Sequence, residues 1–160
     1  MYHQKHRTKT SAHQAERGQS LVEFAFTAMI LVILLSGIVD LGRLYYIFVA
    51  LEDAAGEAAL FLSVAPACPT EAHGLAGECD HPNNAEWRAR NASGGALLDW
   101  TETYIITDVP DVPVIGDTVE VSIQYDFDAL TPFVTQLLEN RPLRLTAVAA
   151  QIIVSEGQFD

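Results

Sequence analysis

Residues 17–39 read RGQSLVEFAFTAMILVILLSGIV, and this stretch decides how the rest of the chain is organised. A basic, polar head leads into an apolar run in which no charged side chain occurs over the 16 residues 24–39. At about 1.5 Å per residue, a helix extended to Leu44 is long enough to cross a hydrocarbon core of about 30 Å. A helix buried in a soluble core usually keeps a polar stripe, and this run has none. The stretch therefore predicts a membrane-spanning helix.

A single acid, Glu23, stands at the start of the apolar run, where a carboxylate costs free energy unless it lies at headgroup depth or finds a partner. A basic leader ends at Gly18, the glutamate is the fifth residue after that glycine, and Phe24 follows it. This arrangement resembles the processing site of type IV prepilins. The Glu-Phe pair narrows the resemblance to the Flp and TadE-like branch of these proteins.

The resemblance implies a defined maturation. Prepilin peptidase, acting at the cytoplasmic face, would cut after Gly18 and leave Gln19 as the new N-terminus. In pilins the glutamate at the position of Glu23 can pair with the freed amino group of a neighbouring subunit, so Glu23 and Phe24 are the expected assembly and register residues. Such an ion pair would also supply the partner that a carboxylate in low dielectric requires.

Charge is distributed unevenly along the chain, whose formal net charge is −12. Four basic residues precede the apolar run, whereas the part after Gly18 has five arginines, no lysine and twenty acids. By the positive-inside rule, the N-terminus is expected in the cytoplasm and the acidic body outside, in the periplasm or at the cell surface. An acidic exported body also argues against nucleic acid as a partner.

Four segments are expected along the chain. Residues 1–18 form a basic prepilin-type leader without regular structure, and residues 19–44 form the transmembrane part of the N-terminal helix. Residues 45–65 continue that helix outside the membrane, since no proline occurs before Pro66 and the sequence alternates an acidic face with an apolar one. Residues 66–160 form an acidic extracytoplasmic α+β domain.

The two cysteines, Cys68 and Cys79, both fall on the exported side. An oxidising compartment favours a disulfide between them, worth about 3 kcal/mol for a short loop. His73 and His81 lie close by in the sequence and make zinc the alternative. Their spacing matches none of the familiar zinc patterns, so no metal site is expected.

The domain after the loop is expected to contain one or two short helices. The first begins with Asn83 or Asn84 as its cap and continues to about Tyr104, with Gly94 and Gly95 weakening its middle. The second, from Phe133 to Leu138, follows a threonine-proline start.

Sheet is expected in the last third. Residues 118–127 alternate apolar and polar side chains, as in a half-buried strand, and Gly116-Asp117 indicates a tight turn before it. The partner strand is either residues 112–115 or residues 104–107. Residues 144–154 give a final, mostly apolar strand with a predicted central place, and pairing is expected to be antiparallel. The fold class is therefore α+β: a long N-terminal transmembrane and spine helix, then a small domain with a mostly antiparallel sheet.

The end of the chain extends the family resemblance. The runs TVEVSIQYDFDALTPFVTQLL and RLTAVAAQIIV look like the closing segment of TadE-like proteins, in which a strand, an L-T-P turn into a helix and a last strand recur. This second likeness is looser than the N-terminal signature and leaves the cysteine loop uncovered.

The sequence contains none of the common catalytic signatures, such as G-x-S-x-G, a P-loop, H-E-x-x-H or a dinucleotide fingerprint. We expect no enzyme, no catalytic residue, no cofactor and no small-molecule substrate. Two functions are predicted as alternatives. In one, the protein is a TadE-like minor pseudopilin taking part in assembly of a tight-adherence pilus for surface attachment. In the other, it is a permanently membrane-anchored extracytoplasmic binding module.

The pseudopilin prediction carries its own partners and location. The partners are prepilin peptidase, other pilin and pseudopilin subunits, the inner-membrane assembly platform and membrane lipid. The location is the cytoplasmic membrane, as a single-pass protein, with incorporation into an extracellular pilus as the further expectation.

Overall fold

A computed structural model describes residues 10–73, 77–92 and 98–155, with no side-chain detail for residues 10–17. The chain divides into two compact units, Met1–Val39 and Asp40–Asp160. The long helix α1, Thr10–Val64, contributes to both. The predicted α+β class is confirmed, with a long apolar helix followed by a small domain that carries an antiparallel sheet and short helices.

In the first unit, α1 begins earlier than expected. The leader was predicted to lack regular structure, yet residues 10–17 are helical. Their sequence, TSAHQAER, offers good helix formers and no proline or glycine before Gly18, so the helix can continue backwards from the apolar run. The predicted behaviour of residues 1–9 lies outside the described residues.

Within the first unit, no other described segment packs against the apolar run. One helix in the described part of the chain is long and apolar enough to cross a membrane by length and composition, and no residue of its most apolar window is buried. Leu21, Phe24 and Ile30 are among the many large side chains on its surface. Burial of one such side chain contributes about 1.5–3 kcal/mol, so this surface is suited to lipid or to another helix rather than to water.

In the second unit, the rest of α1 packs into the core. Its apolar face is fully buried and its acidic face is exposed, as the helical spacing predicted. The buried residues from α1 include Ile47, Leu51, Ala54, Ala55, Ala58, Ala59 and Leu62. They share one cluster with the inward-facing residues of the sheet, so this part of α1 is the spine of the domain.

The sheet has three antiparallel strands in the order β1-β2-β3: β1 is Thr103–Asp108, β2 is Thr118–Phe127 and β3 is Leu143–Ile152. Residue Ile123 in β2 pairs with Ile105 in β1 and with Ala147 in β3. The alternation predicted for β2 is confirmed, since Val119, Val121, Ile123, Tyr125 and Phe127 are all buried.

Two expectations about the sheet are resolved. The partner of β2 is the strand at residues 103–108 rather than residues 112–115, which lie in the connection. The central place predicted for the last strand is wrong, because β2 holds the centre and β3 lies at an edge. The high apolar content of β3 suggested a central strand, but only one face of β3 is buried. Val148 and Ile152 are exposed on its other face.

The turn before β2 has the predicted form. The N–H of Asp117 donates to the carbonyl of Val114 over 3.1 Å, and Gly116 takes a positive φ of 100° between them. A side chain is disfavoured in that conformation, which accounts for glycine at this position.

The helices of the domain are shorter than the sequence indicated. Helix α2 covers Ala85–Ala92, and a single 3-10 turn follows at Trp100–Glu102. A continuous helix reaching Tyr104 is wrong, because Tyr104 lies in β1. The predicted weak point at Gly94-Gly95 lies outside the described residues. Helix α3 is Pro132–Leu137, with Thr131 as its N-cap residue, close to the predicted start.

Candidate functional site

The predicted processing and assembly residues lie together on one stretch of α1. The side-chain amide of Gln19 donates a hydrogen bond of 3.0 Å to the carboxylate of Glu23, one helical turn later. Both side chains are exposed, and Phe24 beside them is 71% exposed. Within this chain Glu23 therefore has a neutral partner, and the carboxylate remains accessible to a second molecule.

Gly18 leaves open space on the helix surface. A β-carbon added at Gly18 would have no described atom within 4 Å, apart from its neighbours in the chain and the backbone of the same helical turns. Gly37, further along the same helix, is equally open. The fold of this chain therefore does not require glycine at position 18.

A second group of polar residues lies where the uncharged run ends. The carboxylate of Asp40, which is only 3% exposed, accepts hydrogen bonds from the N–H of Leu130 at 3.1 Å, from the N–H of Thr131 at 3.2 Å and from the hydroxyl of Thr131. Thr131 makes no side-chain bond to its own helix. Asp40 thus supplies acceptors for backbone donors at the start of α3, where a helix leaves donors unpaired.

Arg43 completes this group. Its Nη1 atom lies 3.8 Å from the carboxylate of Asp40, three residues earlier on the same helix, so the two charges form an ion pair in which Asp40 is buried. The guanidinium carbon lies 5.3 Å from the centre of the Phe127 ring, within range of a cation–π interaction. The pair and the ring connect α1 to the end of β2.

The cysteine loop forms a third polar centre. Cys68 and Cys79 are joined by a disulfide, and both are buried. Asn84, also buried, donates to the carbonyl of Cys79 over 2.9 Å and accepts a 2.7 Å hydrogen bond from the N–H of Trp87. Of the two predicted cap residues, Asn84 is thus the one that caps α2, and it also holds the loop against that helix.

The histidines near this loop have other neighbours. The Nδ1 atom of His73 lies 2.8 Å from the hydroxyl of Thr70, and that of His81 lies 3.2 Å from the amide of Asn84. The disulfide occupies both thiols that the zinc alternative would need as ligands. Across the described ranges, no three histidine, cysteine, aspartate or glutamate side chains gather as a metal site would require.

A shallow hollow of about 480 Å³ lies beside the outer face of the sheet. Arg90 and Arg144 line it, and each is already paired: Arg90 with Glu86 at 2.7 Å and Arg144 with Asp126 at 2.8 Å. The hollow therefore presents paired surface charges, an arrangement typical of a solvated face rather than of acid–base chemistry.

Comparison with known families supports the N-terminal signature. The family model described as TadE-like protein matches residues 18–60, which begin at Gly18 and end within α1. The resemblance to the TadE-like family is confirmed over this range. The match does not reach the closing segment. No curated protein and no solved structure matches the chain.

Sequence reasoning missed the link between Asp40 and α3. The two partners lie ninety-one residues apart in the chain, and a lone aspartate at the end of an apolar run looks like an ordinary surface marker. The available signal was the threonine-proline helix start, whose free N–H groups need an acceptor from somewhere in the fold.

Proposed function

We propose that the protein is a TadE-like minor pseudopilin that prepilin peptidase matures after Gly18 and that takes part in assembly of a tight-adherence, Flp-type pilus for surface attachment. The observation that carries this proposal is the order Gly18, Glu23, Phe24 at the head of an exposed apolar helix, inside the matched family range. The cytoplasmic leader and the exported acidic domain follow from the charge asymmetry.

Maturation would change the chemistry at the start of α1. Before cleavage the nitrogen of Gln19 is a neutral amide, and after cleavage it is a free amine that is largely protonated near neutral pH. The carboxylate of Glu23 is exposed and holds only the neutral side-chain amide of Gln19. It can therefore exchange that bond for an ion pair with the new N-terminus of a neighbouring subunit.

Assembly would then use the apolar surface of the same helix. Side chains such as Leu31 and Leu35 are exposed in the single chain, and packing between subunits removes them from lipid without creating new charged contacts. Glu23 would set the register of this packing, because an unpaired carboxylate in low dielectric is costly. The peptidase, neighbouring pilin subunits, the inner-membrane assembly platform and lipid are the partners in this proposal.

The size of the exported domain supports a minor role. Residues 66–160 add a disulfide-linked α+β domain to the helix, whereas the major subunits of Flp pili are little more than the helix. A minor subunit with its own domain fits a place at the base or tip of a filament.

The proposal is tested by determining which residue is the N-terminus of the mature protein. We would isolate the full chain from its native membranes, with and without prepilin peptidase in the cells, and measure the intact mass. Gly18→Val is the test variant and Gly37→Val is the matched control, since both glycines have open space around them.

Wild type and Gly37→Val should begin at Gln19, and that start should be lost in Gly18→Val and in cells without the peptidase. A chain that keeps the residues before Gln19 when the peptidase is present would overturn the proposal. The protein would then be treated as a permanently anchored binding module.

A further inference from the structure

Three large apolar side chains at α3 are exposed to solvent. Leu130 is 68% exposed, Phe133 is 53% exposed and Leu137 is 73% exposed. Phe133 and Leu137 are four residues apart and lie on the same side of α3, and Leu130 directly precedes the N-cap residue Thr131. Exposed apolar side chains that lie together often mark an interaction site, so this face is suited to an apolar partner.

The position of this face is fixed by Asp40. Its buried carboxylate accepts both backbone N–H groups at the start of α3, from Leu130 and Thr131, as well as the hydroxyl of Thr131. Asp40 directly follows the last residue of the uncharged run on α1. The apolar face of α3 is therefore attached at the turn of α1 where the apolar run ends.

Helix length gives the depth of that turn. The 16 uncharged residues 24–39 span about 24 Å at about 1.5 Å per residue, less than the roughly 30 Å of a hydrocarbon core. A helix that crosses the membrane must then bring the turn containing Asp40 and Arg43 close to the outer boundary of the hydrocarbon. Tyr45 and Tyr46, both exposed on the next turn, suit the interfacial aromatic belt at this level.

We infer that the face formed by Leu130, Phe133 and Leu137, called here the α3 apolar face, inserts into the interfacial layer of the outer leaflet and contacts lipid. Continuity with the spanning helix argues for lipid as the occupant, because the bond to Asp40 keeps the face beside the membrane boundary. Polar residues directly after α3 fit the same level: Glu139 and Arg141 are exposed and lie 3.7 Å apart. The α3 apolar face would thus give the exported domain a second contact with the bilayer, besides α1.

The inference depends on α1 spanning a membrane, which is also part of the proposed function, and the experiment separates the two. Every cysteine among the described residues is in the disulfide, so one added cysteine can be labelled with an environment-sensitive dye without reductant. The full chain is placed in vesicles of phosphatidylethanolamine and phosphatidylglycerol. Quenching by nitroxide lipids, carrying the nitroxide near the headgroup or deep in the acyl chain, reports depth.

Four labelled variants are compared. Leu137→Cys reports the α3 apolar face, and Ile30→Cys reports the span. Glu120→Cys, exposed on the sheet, is the control for an aqueous position. Leu130→Cys repeats the measurement on the α3 apolar face in case one label disturbs the fold.

The expected result is a blue-shifted dye at position 137 that shallow nitroxide lipids quench, a dye at position 30 that deep nitroxide lipids quench, and an unquenched dye at position 120. If position 30 is quenched but positions 130 and 137 are not, the α3 inference is overturned while the anchor stands. If position 30 also escapes quenching, the spanning helix itself fails. A shift at position 137 that depends on protein density and not on nitroxide lipid would overturn the inference in favour of a second copy of the chain.

Discussion

The carboxylate of Asp40, near the middle of α1, accepts a hydrogen bond from the hydroxyl of Thr131, ninety-one residues further along the chain. The N–H groups of Leu130 and Thr131 donate to the same carboxylate. A residue of α1 thus holds the two residues that lead into α3. The orientation of α3 is thereby tied to the spine of the domain rather than only to its own turn.

Removal of this carboxylate should destabilise the domain. Asp40→Ala leaves two partly buried N–H groups without acceptors, and an unsatisfied buried donor costs about 1–3 kcal/mol. We expect a lower melting temperature for the full chain in detergent micelles, together with faster hydrogen exchange at residues 130–137. Asp53→Ala, at an exposed position on the same helix, is the control and should change stability by no more than about 0.5 kcal/mol. Equal melting temperatures for the two variants would show that α3 does not depend on Asp40.

The disulfide should stabilise the loop that leads into α2. Cys68 and Cys79 are 11 residues apart, and a loop of this size is worth about 3 kcal/mol in the chain-entropy account. Reductant should lower the melting temperature of the wild-type chain, and the Cys68→Ser, Cys79→Ser double variant should start at the lowered value. The double variant is its own control, because reductant has no bond to break in it. A wild-type chain indifferent to reductant would contradict the prediction.

A cross-strand ion pair should give the domain a defined response to acid. Arg144 donates from Nε and Nη2 to the carboxylate of Asp126 at 2.8 and 3.1 Å. These hydrogen bonds lower the pKa of Asp126 below its ordinary value and raise the pKa of Arg144. Since the folded pKa of Asp126 is the lower one, its stabilisation is complete above the unfolded value of about 3.9 and is lost as pH falls through the folded value.

Arg144→Gln isolates this contribution. The melting temperature of wild type should exceed that of the variant at neutral pH. The difference should begin to shrink below about pH 3.9, where Asp126 of the unfolded chain becomes protonated, and should reach zero only below the lowered pKa of Asp126 in the folded chain. Asp99, whose pKa is lowered by hydrogen bonds from the hydroxyl and the N–H of Thr101, titrates in the same range. It is present in both proteins and cancels in the difference. A difference that stays constant into strong acid would contradict the assignment.

Local patterns were enough to predict much of this molecule. The alternation in β2 and the apolar face of α1 around Leu51 and Leu62 could be predicted from sequence spacing. In each case one face of the element packs against the core, so apolar residues recur with the period of that element. The two cysteines, expected in an oxidising compartment, predicted the disulfide that joins them. The Gly18, Glu23 and Phe24 signature identified the family range without any structure.

The remainder depends on contacts between distant segments. A strand's place in a sheet is set by which neighbours it finds, so the apolar content of β3 did not reveal that it lies at an edge. Gly94 and Gly95 indicated a weak point in the predicted helix, but Trp100 and Tyr104 continue an acceptable helical pattern, so the sequence did not show that α2 ends at Ala92. The threonine-proline helix start indicates that backbone N–H groups near Thr131 need an acceptor, but nothing near Asp40 in the sequence identifies it as that acceptor.

The charge of Glu23 gives the most specific prediction about assembly. Glu23→Gln keeps the size of the side chain and an oxygen that can accept the hydrogen bond from Gln19, so α1 should be unchanged. It removes the negative charge that would pair with a neighbour's free N-terminus. If assembly uses that pair, the variant should be cleaved and inserted normally. Much less of it should be recovered in sheared filament fractions, and the remaining protein should stay in the membrane.

The control is Glu57→Gln, which neutralises an exposed acid on the same helix beyond the membrane boundary. It should leave both cleavage and filament recovery unchanged. Equal recovery of the two variants would show that Glu23 does not set the register. Loss of cleavage in Glu23→Gln would move its role from assembly to recognition by the peptidase, because the neutral side chain leaves the helix around Gly18 intact.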